Sequence, residues 1–106
     1  MEQHNIDKID MLIKQWGVPM QLVIAMEESA ELSVICSKLI RGTVSRENVV
    51  GALGDAYVML QTLCMVLDVS PEELERIATD KLERAISKIP LEGEAAVSEP
   101  TIKDGE

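Results

Sequence analysis

Four carboxylates in this chain stand in apolar company. Glu27, Glu28 and Glu31 interrupt the apolar segment 23–35, and Asp55 is the only acidic or basic residue between positions 48 and 67. Nothing close in sequence neutralises the glutamates: the nearest cations are Lys14 upstream and Lys38 downstream. On a helix, Glu28 and Glu31 fall about 60° apart, and Glu27 about 40° from Glu31. The row 21-24-28-31-35-38 reads Gln, Ile, Glu, Glu, Ile, Lys, so two acids sit in what reads as an inward stripe. Asp55 shares a helical face with Asn48, Ala52, Met59, Thr62 and Val66. Leaving such a carboxylate buried and unpaired costs on the order of several kcal/mol, and carboxylates that converge raise one another's pKa. A hard divalent cation removes both problems, because Mg²⁺ takes oxygen ligands. Glu28, Glu31 and Asp55 are therefore expected to ligate metal, with Glu27 as a further acid of the same catalytic group. The plainer alternative is a solvated glutamate face, with Asp55 paired to Lys81 or Arg84.

These residues need helices to position them, and four are expected. Ile6, Ile9, Leu12 and Ile13 recur at helical spacing over about 5–15, and "WGVP" ends that segment through Gly17 and Pro19. A long second helix follows over about 19–41, with Gly42 as its C′ residue. Ser45 caps a third, about 46–67. "VSPEEL" opens the fourth, with Ser70 as N-cap, Pro71 at N1 and Glu73 completing a capping box; it runs to about 89, before Pro90. Residues 91–106 carry five acids against Lys103 alone and little periodicity, and read as a flexible acidic tail or partner-wrapping arm. The division expected is a helical domain over 1–90 and this tail.

The composition agrees with an all-α fold. Of 106 residues, 46% are hydrophobic but only 2% aromatic, a core of Leu, Ile, Val, Met and Ala that suits helix packing. Two long helices joined by a short loop imply an antiparallel hairpin or four-helix bundle. The third helix is apolar nearly all round and must be covered on every side, so dimer or tetramer assembly is expected to complete the fold. A net charge of −9 argues against a nucleic-acid or anionic-membrane partner. No apolar run approaches the roughly 20 residues of a membrane span, and the start "MEQHNIDKID" has no signal-peptide pattern. Cys36 and Cys64 lack C-x-x-C spacing and read as reduced, buried thiols of a cytoplasmic protein. In the fourth helix Lys81, Arg84 and Lys88 lie within about 60° of one another, flanking the core-facing side of Leu74, Ala78, Leu82, Ala85 and Ile89; the helix dipole alone explains cations there, and phosphate contact is the functional alternative.

The order of these features resembles the MazG-like, all-α nucleoside triphosphate pyrophosphohydrolases, related to dCTP pyrophosphatases and dimeric dUTPases. The matching stretches are Trp16-Gly17 with Gln21, then "EESAEL", "GALGDAYVMLQTL" and "LDVSPEELERIATDKLERAISK", spanning about 16–88. The resemblance implies a helical dimer or tetramer that uses Mg²⁺, with Mn²⁺ as a substitute, to cleave an NTP or dNTP to NMP and pyrophosphate. It places Glu28 and Glu31 at metal-ligand positions, Glu27 at the leading acid of the first motif, and Asp55 at the aspartate of the second motif, E-x-x-D. Lys81 and Arg84 match basic positions beyond it, and Trp16 and Gln21 sit where base or sugar contacts are expected. The acid that should precede Asp55 by three residues is Ala52. Its loss should weaken metal binding, a second metal above all, with Asn48 one turn earlier able to lend an amide oxygen and Glu47, near in sequence, pointing elsewhere. Two functions of different class follow: a Mg²⁺-dependent pyrophosphohydrolase, and a catalytically silent helical dimer that binds nucleotide or regulates a partner.

Overall fold

A computed structural model describes residues 1–90; the tail expected over 91–106 lies outside the described residues. The described chain is all-helical, with α1 at Gln3–Trp16, α2 at Val18–Arg41, α3 at Arg46–Val66 and α4 at Pro71–Ser87. The boundaries follow local chemistry. Gly17 adopts φ 85° and its N–H donates to the Ile13 carbonyl at 2.8 Å, ending α1; Pro19 then sits harmlessly in the first turn of α2. Gly42 takes the left-handed conformation at φ 67°, and its N–H and that of Thr43 donate back to the Leu39 and Lys38 carbonyls, a Schellman closure that glycine accepts without a Cβ clash. Ser45 Oγ accepts from the Asn48 N–H at 3.2 Å, and Ser70 Oγ from the Glu73 N–H at 3.1 Å. The capping box at Ser70 is thus made through its serine arm. Between α3 and α4 the left-handed position falls to Asp68, φ 57°, one of the few non-glycine types that visit it routinely.

α2 and α3 pack along each other, and α1 lies against both. The register is antiparallel: Ser29 Oγ reaches Met59 Sδ at 3.6 Å, and Glu31 faces Asp55. What the three helices enclose is thin. Ile9, Val44, Val49 and Ala56 are the buried apolar residues, joined by Gln21 and Thr62. Thr62 is satisfied by donating to the Val58 carbonyl at 2.7 Å, and Gln21 Nε2 donates to the Leu12 carbonyl at 3.5 Å.

The expected burial of the thiols needs correction, and two further features stand beside it. α4 makes no close backbone approach to α1, α2 or α3 and buries no residue, so the bundle expected to be completed by assembly is left open within one chain. Cys36 is exposed and Cys64 half-buried, both free thiols. And α3, 21 residues long with a mean hydropathy of 1.6 over its most apolar window, meets the length and composition of a membrane span. The sequence reading missed this because Gly, Asp, Gln and Thr break its apolar run. Asp55 near the middle of that helix counts against a lipid-facing position, where a carboxylate costs about 3 kcal/mol. Within the single chain the outer surface of α3 is uncovered: Val50, Leu53, Tyr57 and Leu60 recur at three- and four-residue spacing, and each is about half exposed.

Candidate metal centre

Glu28 and Glu31 stand one turn apart on α2, and Asp55 meets them from α3. One carboxylate oxygen from each of the three lies within 4.8 Å of the other two. Three anions from two helices therefore converge, with no cation among them: the ion pairs of the described residues are His4–Glu2 and Lys14–Asp10, both at the N-terminal end. The alternative pairing of Asp55 with Lys81 or Arg84 is not made within the chain.

Burial differs from expectation. Glu28 is half-buried, whereas Glu31 and Asp55 are exposed. The acids lie on the open rim of the α2–α3 hairpin because α1 covers the hairpin on one side only. Even so, Glu28 has its pKa raised above its ordinary value of 4.5. Partial desolvation is the largest cause, followed by repulsion from Glu31 and Asp55, a hydrogen bond to Glu31, and repulsion from Glu27. Glu27 itself is exposed and stands outside the three-carboxylate group, contributing field and no ligand.

The donor set fits a hard cation. Two ligands facing each other across Mg²⁺ stand about 4.2 Å apart, and across Ca²⁺ about 4.6–5.2 Å; oxygens spread over 4.8 Å close on either ion through small rotamer adjustments. Soft metals have no claim, since neither cysteine nor His4 joins the group.

Two hollows meet at this centre. A narrow cleft of about 180 Å³ contains Leu12, Gln21, Ala25, Glu28, Asp55 and Met59 on its walls. A wider groove of about 730 Å³ runs the other way, between the C-terminal half of α2 and the N-terminal half of α3, past Glu31, Lys38, Glu47, Asn48, Ala52 and Asp55. Asp55 borders both. Gln21 borders the narrow cleft and Asn48 the wider groove, on opposite sides of Asp55. Trp16 is 60% exposed and borders neither hollow. Lys81 and Arg84, on the unpacked α4, also reach neither.

Sequence reasoning missed Lys38 and misplaced Glu47. Lys38 follows Glu31 by seven residues, two near-complete turns, so its place on the same face was readable from the row that also contains Glu28 and Ile35. Glu47 was expected to point elsewhere; it borders the groove because the groove is wide enough to take in two adjacent faces of α3.

The raised pKa of Glu28 has a testable sign. A folded-state pKa above the unfolded value means that Glu28 favours folding most fully below the unfolded pKa, and that this contribution is lost as pH rises through the folded pKa. Metal binding takes the deprotonated form and opposes this. In metal-free melts from pH 4 to 8, wild type should lose stability relative to Glu28→Gln as pH rises across the window above 4.5, and Mg²⁺ affinity should fall as pH drops through the same window. A pH-independent difference between the two proteins contradicts the assignment.

Comparison with known proteins finds no matching family model, no matching curated protein and no matching solved structure.

Proposed function

We propose that this chain is a Mg²⁺-dependent nucleotide pyrophosphohydrolase that cleaves an NTP or dNTP to the monophosphate and pyrophosphate. The observation that carries the reading is the convergence of Glu28, Glu31 and Asp55 from two helices within 4.8 Å, without a protein cation to balance them. The residue pattern that resembles the MazG-like hydrolases, which includes these same acids, also supports it. Glu28, Glu31 and Asp55 would hold Mg²⁺, which when bound supplies Lewis-acid polarisation of phosphate and lowers the pKa of water. Glu27, exposed one residue before Glu28, adds negative field as the further acid of the same catalytic group. Glu28, with its pKa raised by partial desolvation and by its acidic neighbours, would hold the cation less tightly as pH falls. Gln21 and the apolar wall of the narrow cleft suit the base and sugar side of the substrate. Lys81 and Arg84 would reach phosphate from a second copy of the chain, since within one chain α4 stands clear of the centre.

Release of pyrophosphate from a panel of NTPs and dNTPs with Mg²⁺ tests the reading. No release above the buffer rate from any of them, with Mg²⁺ or Mn²⁺, counts against it. A second reading, a catalytically silent nucleotide-binding or regulatory dimer, is favoured by Ala52, which leaves three carboxylates where the hydrolase pattern has one more; it expects nucleotide binding without turnover.

Assembly belongs to the same proposal. The half-exposed Val50, Leu53, Tyr57 and Leu60 on α3, together with the apolar side of α4 (Leu74, Leu82, Ile86), make a surface that a second copy would cover. Sedimentation should give a dimer or tetramer, and Leu53→Arg combined with Leu60→Arg should shift it to monomer. A wild-type monomer at micromolar concentration removes this part of the proposal.

A further inference from the structure

The wide groove carries three carboxylates, Glu31, Glu47 and Asp55, and a single cation, Lys38. Lys38 makes no ion pair among the described residues, with Glu47 or with any other acid. It lies on the face of α2 that carries Glu31, seven residues further on, which is about 10 Å along the helix axis. Asn48 borders the same end from α3. Between the two charged ends the wall is small and apolar, with Ala30, Val34, Gly51 and Ala52. The groove thus has Glu31 and Asp55 at one end and Lys38, with Glu47 and Asn48 from the first turn of α3, at the other, about two helical turns away.

We propose that this groove receives the phosphate chain of a nucleoside triphosphate, with the reacting phosphate at Glu28, Glu31 and Asp55 and the terminal phosphate at Lys38. The proposal rests on the metal-centre reading and extends it by fixing the direction in which substrate lies. With the phosphates running toward Lys38, the base and sugar are left on the opposite side of Asp55, where Gln21 borders the narrow cleft. That orientation puts the bond nearest the nucleoside at the acids, and it makes the leaving group the fragment that Lys38 holds. Lys38 is then a substrate-positioning cation that selects for phosphate-chain length, since a monophosphate at the acids cannot reach it. Because carboxylates outnumber the one ammonium, entry of a polyphosphate also requires the divalent cation.

Calorimetric titration with non-hydrolysable α,β-imido deoxynucleoside triphosphates, each with Mg²⁺, tests the proposal without relying on turnover. The corresponding monophosphates serve as the short-chain comparison. Lys38→Ala should weaken triphosphate binding about tenfold, as expected for loss of a charge-assisted contact at an exposed site, and leave monophosphate binding unchanged. Lys38→Arg should restore most of the loss. Arg41→Ala removes a like charge from the same last turn of α2 at a residue that does not border the groove, and should change binding less than twofold. Lys38 is exposed, so its variants are expected to melt as wild type does. Triphosphate binding that survives Lys38→Ala, or an equal loss in Arg41→Ala, overturns the role of Lys38 while leaving the metal centre intact. Failure of wild type to bind Mg²⁺ in a titration without nucleotide removes the metal-centre reading, and this proposal with it.

Discussion

Asp55→Asn should lower Mg²⁺-dependent pyrophosphate release by roughly 10²–10³-fold, the consequence of losing several kcal/mol of metal-centred stabilisation at about 1.4 kcal/mol per decade. Asp55 is the one carboxylate that α3 brings to the group, so its loss would leave the proposed centre to a single helix; Glu31→Gln should act in the same direction. The substitution is nearly isosteric and the residue is exposed, so the fold should survive it. In the metal-free protein it removes one of three mutually repelling charges, and the melting temperature should hold or rise slightly. The separation between the two states is the informative part. Wild type at a Mg²⁺ concentration a hundred times its dissociation constant gains about 2.7 kcal/mol, which in a chain of this size is a rise in melting temperature of roughly 10 °C or more. Asp55→Asn should show almost none of that rise. Release within twofold of wild type, or an undiminished metal-induced rise, would place the metal elsewhere or nowhere.

Ala52→Glu is expected to change the protein in opposite directions with and without metal. Ala52 is half-buried on α3, three residues before Asp55, and borders the groove that Glu31 and Asp55 share. A carboxylate there is a fourth anion beside three that already converge within 4.8 Å. Metal-free, it should cost about 1 kcal/mol through like-charge repulsion at a solvated site, and it should push the Glu28 pKa further up. With Mg²⁺ present, an added hard ligand should tighten metal binding by about ten- to a hundredfold. Turnover should rise with it if the absent acid limits the rate. Metal affinity measured by calorimetry that is unchanged in Ala52→Glu means that Asn48, Glu47 or a water already fills the position.

The secondary structure was largely legible in the sequence because each boundary is a local event. Gly42 and Ser45 around the α2–α3 turn, and Ser70 with Pro71 before α4, act on backbone groups within a few residues, so spacing alone locates them. The carboxylate cluster was legible for a related reason: Glu28 and Glu31 share a face by helical periodicity, and Asp55 is conspicuous as a lone charge in an apolar helix. Other features were not. Trp16 carries the resemblance as strongly as Gln21 does, yet Gln21 reaches the cleft and Trp16 lies open to solvent. The difference is set by the angle the chain takes between α1 and α2 at Gly17, which no local pattern encodes. Lys81 and Arg84 form an orderly basic stripe in sequence, but a stripe records which residues share a face and not what that face meets.

By itself the sequence determined an all-helical chain, the ends of its helices, and which acids share a helical side, because these depend on interactions spanning one to four residues. Tertiary structure alone decided that Glu28, Glu31 and Asp55 draw within 4.8 Å, that they lie on an open rim, that Lys38 stands at the far end of their groove, and that α4 is left unpacked by its own chain. Those outcomes depend on the register between α2 and α3 and on the angles at Gly17 and Asp68. Register is fixed by packing between side chains some thirty positions apart, Ser29 against Met59 among them, and packing at that distance leaves no periodic trace in either helix.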